Sequence, residues 1–432
     1  MSNRGTRSNL PALAVALLLA AGAAGAGGMA LWPEAAAAQA QQTRKTPAMR
    51  ESVFRELSQA QSVADTGDIA EALRLLDRVK QRDDLNSYEL AQLYNFYAFI
   101  YYSQEQYAKS IEAYRNLLSQ PDLPEALEVS TLYGIAQLSL VTEDYAGAVG
   151  YLERWFRLVP DPGPDAYVLL SQAYYQQGQV EKALVPIENA MRLAREQGTA
   201  AKENWLLLAR ALNFELERYG QVVDVLEQLL TDYPRQEYWV QLAAMYGETG
   251  REREQLVAYE IAYEQGYLDK DRELVLLAQL YLQQDVPYKA ARVLEDGMAK
   301  GAVERSARNL RLLSQAWTLA MNNEEAIAAL QEAASLSGDP ELYLRLAQQY
   351  AGLSRWEDAL GAARTALDRG IDDRADAHLM VGMALYNVGR LDEAVGNFRQ
   401  AAADERLAVT ARQWIDYIGK EKERREQIAQ AG

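Results

Sequence analysis

Cysteine is absent from this 432-residue chain, and histidine occurs once, at His378. Those two absences remove thiolate nucleophiles, disulfides, Cys/His zinc sites and any Ser-His-Asp triad not built on His378. A chain without thiols also suits an oxidising compartment, where a stray cysteine is a liability. Glycine (27) and proline (12) are sparse and periodically placed, and hydrophobic residues make up 49% of the chain, so it does not read as disordered. Excess positive charge is missing as well: 44 Lys and Arg against 61 Asp and Glu leave a net charge of −17. Nucleic-acid binding needs a basic stripe to displace counterions, and an anionic membrane surface makes the same demand. Neither is an expected partner. No glycine-rich phosphate loop occurs. The acidic pairs Asp83-Asp84 and Asp372-Asp373 lie in turns, where they read as helix caps or loop charges before catalytic dyads. No catalytic residue, metal site or cofactor is expected.

What is present begins at the N-terminus. Arg4 and Arg7 precede an apolar run rich in Ala, Leu and Gly, and small residues follow up to Ala38-Gln39-Ala40. This is the order of a secretory signal, which places a signal peptide over residues 1–40 and cleavage before Gln41. The competing reading is an uncleaved anchor over residues 10–32, since about 20 apolar residues span a bilayer. Either way the body of the protein is expected beyond the inner membrane, in the periplasm of a bacterial host. Residues 41–52 read as a flexible lead-in.

From there a phrase recurs: a bulky residue, then a Leu with a small residue, then Tyr. Trp239, Leu242, Ala243 and Tyr246 give its cleanest form, and Tyr94/Tyr97/Ala98/Tyr101, Tyr167/Leu170/Ser171/Tyr174, Leu274/Leu277/Ala278/Tyr281 and Tyr343/Leu346/Ala347/Tyr350 repeat the spacing. Apolar residues at i, i+3, i+4 and i+7 mark one helix. A turn often centred on glycine follows, as at Gly67, Gly178, Gly250 and Gly389. A second helix then carries its own small residue: Ala72, Ser110, Ala148, Ala183, Val222, Gln255, Ala290, Ala326, Ala359 and Ala394, spaced 33 to 39 residues apart. Val222 and Gln255 are large for that place, the stretch from Trp205 to Tyr219 reads as one residue too long, and Met321 stands where a turn glycine is expected. After the last unit, Leu407, Ala411, Trp414 and Ile418 form an apolar stripe and residues 420–427 are almost wholly polar. That pattern fits a final helix covering the open end of a stack.

In these residues the chain resembles the tetratricopeptide-repeat family, whose period is about 34 residues. The resemblance implies an all-α, right-handed solenoid of about ten helix hairpins over residues 53–408, with a capping helix and polar tail over residues 409–432. It also implies that the first helices of successive units line a concave groove for an extended protein segment. One row facing that groove would hold Gln61, Phe99, Gln137, Gln172, Arg210, Ala244, Gln279, Gln315, Gln348 and Met383. A flanking row would hold Tyr102, Tyr133, Tyr175 and Tyr386, with Asn95 and Asn387 nearby. Gln both donates and accepts hydrogen bonds, and Tyr pairs a flat apolar body with one hydroxyl, which suits a peptide backbone. The plainer reading is that Gln merely favours helices and Tyr packs between them. Some family members hold a terminal carboxylate with Lys and Asn, but no comparable cluster of Lys occurs here.

In layout the chain is also similar to the exported tetratricopeptide proteins associated with TonB–ExbB–ExbD systems, which implies a role in supporting TonB-dependent transport. An assembly factor for envelope polysaccharide export or pilus biogenesis is the alternative of the same class. A cell-wall hydrolase or lyase, from another class, would need a carboxylate pair of raised pKa in the groove.

Overall fold

Each repeat closes into a hairpin because two helices meet at their smallest side chains. The structure, a computed structural model, describes residues 48–431, so the expected signal peptide lies outside the described residues. Every regular element among them is an α-helix. The first five hairpins pair α1 (Glu51–Asp65) with α2 (Ile69–Lys80), α3 (Ser87–Ser103) with α4 (Tyr107–Leu118), α5 (Glu125–Val141) with α6 (Tyr145–Leu158), α7 (Pro164–Gln176) with α8 (Val180–Glu196) and α9 (Glu203–Glu215) with α10 (Tyr219–Asp232). The next five pair α11 (Gln236–Glu248) with α12 (Glu252–Glu264), α13 (Asp271–Gln283) with α14 (Pro287–Ala299), α15 (Ala307–Leu319) with α16 (Asn323–Ser337), α17 (Pro340–Gly352) with α18 (Trp356–Asp368) and α19 (Arg374–Asn387) with α20 (Leu391–Ala401). A twenty-first helix, α21 (Ala408–Ala431), follows them. The chain is an α-solenoid.

One register runs through all ten hairpins. The small residue of the second helix lies five residues after a turn residue with positive φ. Glycine supplies that conformation at Gly67, Gly178, Gly250 and Gly389, with φ between 70° and 91°. Glu105, Glu143, Glu217, Asp285, Met321 and Ser354 adopt it without glycine, with φ between 55° and 61°. Met321, the expected missing glycine, therefore takes the left-handed turn itself.

Seven residues before the turn, the first helix offers its own small residue, giving pairs such as Ala98/Ser110, Ser171/Ala183 and Ala347/Ala359, all fully buried. Two pairs add a hydrogen bond: the Ser110 hydroxyl donates to the Ala98 carbonyl (2.8 Å), and the Ser171 hydroxyl donates to the Ala183 carbonyl (2.7 Å). Gln255 is accommodated because Gly247 faces it; a Cβ on Gly247 would lie 2.5 Å from Gln255 Nε2.

The fifth hairpin corrects the sequence reading. Glu217 turns the chain eleven residues after Leu206, as Gly250 does after Trp239, so no residue is inserted. Leu206 holds the bulky place, buried Trp205 aligns with buried Tyr238, and Arg210 falls on the small-residue position. The tryptophan, being the larger side chain, had suggested a register one residue out.

Hairpins are joined by tyrosines. The repeat Tyr donates to a carboxylate on the second helix of the preceding hairpin: Tyr174 to Glu153 (2.7 Å) and Tyr246 to Glu227 (2.6 Å). From Val168 to Ile418 one apolar core runs without interruption. It ends on α21, where Ala411 and Ile418 are fully buried and the Trp414 ring stacks on Phe398 with centroids 5.5 Å apart. At the other end Arg50, the last residue before α1, pairs with the buried carboxylate of Glu89 (2.6 Å) and with Asp84 (2.5 Å). The end of the expected flexible lead-in is thus tied down, because a buried carboxylate requires a partner.

Two glycines test whether contact or helix propensity decides a site. A Cβ on Gly382 would meet the Phe398 ring at 2.8 Å, whereas one on Gly134 meets nothing within 4 Å. Gly382→Ala is expected to cost about 1–3 kcal/mol through overpacking, and Gly134→Ala to gain roughly 0.5–1 kcal/mol. Met321→Gly should relieve a left-handed residue costing about 1–2 kcal/mol, less the entropy glycine adds to the unfolded chain. Urea unfolding of the three variants measures these effects; a stabilised Gly382→Ala would contradict the packing account.

Candidate protein-binding groove

An α-helix turns about 100° per residue, so the residue after each buried small residue points away from the second helix. First helices of neighbouring hairpins lie side by side: α1 approaches α3 and α17 approaches α19. Side chains also bridge them. Gln349 Nε2 donates to Thr318 Oγ1 (3.0 Å), and Arg210 bonds to Gln241.

On this shared face the structure places most of the expected row. Phe99, Gln137, Gln315 and Gln348 are exposed, while Gln61, Gln172, Ala244, Gln279 and Met383 are half-buried. Arg210 does not belong to the row. The fixed register puts Ala211 there, and Arg210 packs between α9 and α11, where burial lowers its pKa. In the flanking row Tyr102 is exposed, Tyr175 and Tyr386 are half-buried, and Asn387 is exposed. Tyr133 is an interior packing residue: its ring lies 5.3 Å from that of Trp155, and burial raises its pKa. Asn95, on the same helical row as Tyr133 one hairpin earlier, is half-buried.

Sequence reasoning missed three apolar residues on this face. Val141 (52% exposed), Phe214 (45%) and Leu319 (55%) stand four or five residues after the small-residue position. Their spacing from the turn was the available signal. With Phe99 and Tyr102 they give the first helices a discontinuous line of uncovered apolar surface. At its far end an open cleft is lined by Tyr386, Gln413, Trp414 and Tyr417.

Titratable groups serve the scaffold. His378 Nδ1 lies 3.0 Å from Asn397 Oδ1, within its own hairpin. Asp373 caps α19, Asp376 beside it has its pKa raised by burial and by Asp373, and Arg406 contacts both carboxylates (3.0 and 3.5 Å). That pair tethers the loop before α19 to the segment before α21. Among the described residues no group of His, Asp and Glu is arranged to hold a metal ion, and no helix is long and apolar enough to cross a membrane. Cations from the same hairpin lie over the repeat tyrosines, with Arg251 4.5 Å from the Tyr246 ring centre and Arg355 4.7 Å from that of Tyr350.

Residues 98–163, 133–201 and 344–408 match the family model described as tetratricopeptide repeat. Over residues 98–201 and 344–408 the chain carries tetratricopeptide repeats. This repeat is a scaffold suited to protein–protein interaction, and no catalytic family is indicated. No curated protein sequence matches the chain. Among solved structures the tetratricopeptide array is similar to the MamA protein (20% identity, 40% of this chain and 94% of that one, TM-score 0.34). It is also similar to the TPR2AB domain of yeast Sti1 in a pHSP90 complex (15% identity, 60% and 97% covered, TM-score 0.35). A third likeness is a tetratricopeptide repeat protein from Parabacteroides merdae (16% identity, 66% and 94% covered, TM-score 0.34).

The inter-hairpin tyrosines make an alkaline prediction. Burial and then a hydrogen bond to a carboxylate push the hydroxyls of Tyr174, Tyr238 and Tyr246 up to about 12. A folded pKa above the unfolded value of about 10 means that the neutral hydroxyls stabilise the fold fully below pH 10 and lose that contribution as pH rises through about 12. Absorbance titration should show a late set of tyrosines deprotonating together with loss of helical circular dichroism. Uniform titration near pH 10 with helices intact would contradict this. Tyr246→Phe should cost roughly 1 kcal/mol at neutral pH through its lost hydrogen bond.

Proposed function

We propose that this protein is an exported, non-catalytic scaffold whose first-helix groove binds an extended segment of an envelope protein. The observation that carries the reading is the run of exposed apolar side chains on one face, Phe99, Tyr102, Val141, Phe214 and Leu319, interleaved with the glutamines Gln137, Gln315 and Gln348. Uncovered apolar patches rimmed by polar groups are interaction surfaces. An extended peptide offers backbone donors and acceptors to the glutamines and side chains to the apolar positions. Export is supported by the basic, apolar and small-residue order of residues 1–40 and by the absence of cysteine. Within that reading, the layout favours a role in supporting TonB-dependent transport.

Photoreactive residues at Tyr102, Tyr175 and Gln279, in cells expressing the full chain, test the groove. Each should capture a common envelope protein, and the same probe at Lys182, on the second helix α8, should not. Capture at Lys182 with none at the other three would move the binding surface elsewhere. Removing residues 1–40 should leave the protein in the cytoplasmic fraction; unchanged export would overturn the assignment of the leader.

A further inference from the structure

Cations in this acidic protein are commonly tied to carboxylates of their own or a neighbouring hairpin, as Arg355 is to Glu324 (3.0 Å) and Arg305 to Glu332 (2.5 Å). On the first helices α1 to α11 there are only two cations, Arg55, paired with Glu51, and Arg210, bonded to Gln241. The pattern changes abruptly in the seventh to ninth hairpins. Arg272 on α13, Arg308 and Arg311 on α15, and Arg345 on α17 are all exposed. Among the described residues none of the four has a salt-bridge partner within 4.0 Å or a hydrogen bond, and α15 carries no acidic residue at all.

Register brings them together. Arg272 and Arg308 each lie six residues before the small residue of their helix, in successive hairpins, and Arg311 is one turn further along α15. The Gln349–Thr318 hydrogen bond fixes α17 against α15, so Arg345, one turn before Gln349, lies beside the turn of α15 that precedes Thr318. Gln315, Leu319 and Gln348 are exposed on the same two helices. We propose that these four arginines form an anion-reading patch within the groove, which takes an acidic, extended segment of a partner protein. This rests on the groove reading and deepens it.

The chemistry favours carboxylate side chains. A guanidinium presents a planar fork of donors that matches a carboxylate in bidentate fashion, and four unpaired forks leave that capacity unused in the free protein. With helices packed about 8–10 Å apart, three hairpins span about 20 Å, the reach of roughly six extended residues at about 3.3 Å each. Elsewhere along this face Glu215 and Glu248 are exposed on α9 and α11 and disfavour an acidic segment, which finds its charge complement at the arginines and is placed by them along the groove.

The test uses the full chain and a fluorescein-labelled twelve-residue peptide of alternating Glu and Leu, with Gln-for-Glu and Lys-for-Glu counterparts, read by fluorescence anisotropy. The Glu peptide should bind at least ten-fold more tightly than either counterpart, with an affinity that falls as salt rises. Arg308→Glu with Arg311→Glu should abolish that preference, and Arg308→Gln with Arg311→Gln should weaken it while leaving the thermal melt unchanged. Reversing Arg195 and Arg399, exposed cations of the second helices α8 and α20, should change nothing. Equal binding of the Gln peptide would overturn the patch yet leave the groove standing, whereas failure of all three peptides together with capture only at Lys182 would remove both. Concentration-dependent dimerisation that disappears in the Arg308→Glu, Arg311→Glu variant would assign the face to a second copy of this chain and overturn the proposal.

Discussion

Two helix backbones can approach closely only where both present a small side chain, and in this protein that contact recurs at residues twelve apart in every hairpin but the fifth and sixth. The spacing is rigid because the turn between them is rigid: a left-handed residue always stands five positions before the second member of the pair. Six hairpins take that conformation without glycine, at about 1–2 kcal/mol each. Such strain persists only because the packing it permits is worth more. Where the small pair fails, room is made nearby. Gly247 yields to Gln255, and in the fifth hairpin Arg210 turns its guanidinium toward Gln241 on α11, the first helix of the next hairpin.

Stacking follows from the hairpin. Each pair of helices has an apolar face it cannot bury alone, and the repeat tyrosines add a hydrogen bond that points backward to the preceding unit, as Tyr174 does to Glu153 and Tyr246 to Glu227. The two termini are closed differently. Arg50 seals the first hairpin with charge, through Glu89, while α21 seals the last with aromatic surface, through Trp414 on Phe398. The first helices keep a face that stacking does not consume, the one proposed above for binding. Its apolar and glutamine positions are set by register, and its charge changes character between α11 and α13.

Much of the hairpin count was legible because a small residue recurring every 33 to 39 positions has one physical cause, close helix approach. The cap was legible for a similar reason, since Ala411 and Ile418 share a helical stripe and both are buried. Misreadings arose where side-chain size competed with register. Trp205 looked like the bulky anchor and displaced Arg210 into the groove row, although Leu206 and Ala211 hold those places. Tyr133 and Tyr102 looked alike in sequence, yet one packs on Trp155 and the other is exposed. Val141, Phe214 and Leu319 did not stand out in the sequence because their exposure depends on the adjoining hairpin.

The sequence by itself determined the helical hairpin, its period, its turn and its cap. All of these depend on sterics within a span of some forty residues, where backbone geometry leaves few choices. Only the tertiary structure decided which side chains remain free. Arg305 finds Glu332 and Arg355 finds Glu324 across the stack, while among the described residues Arg308, Arg311 and Arg345 have no carboxylate within 4.0 Å. Ion pairing and exposure are set by how one hairpin lies against the next, a relation between surfaces distant in sequence, and no local pattern of residues encodes it.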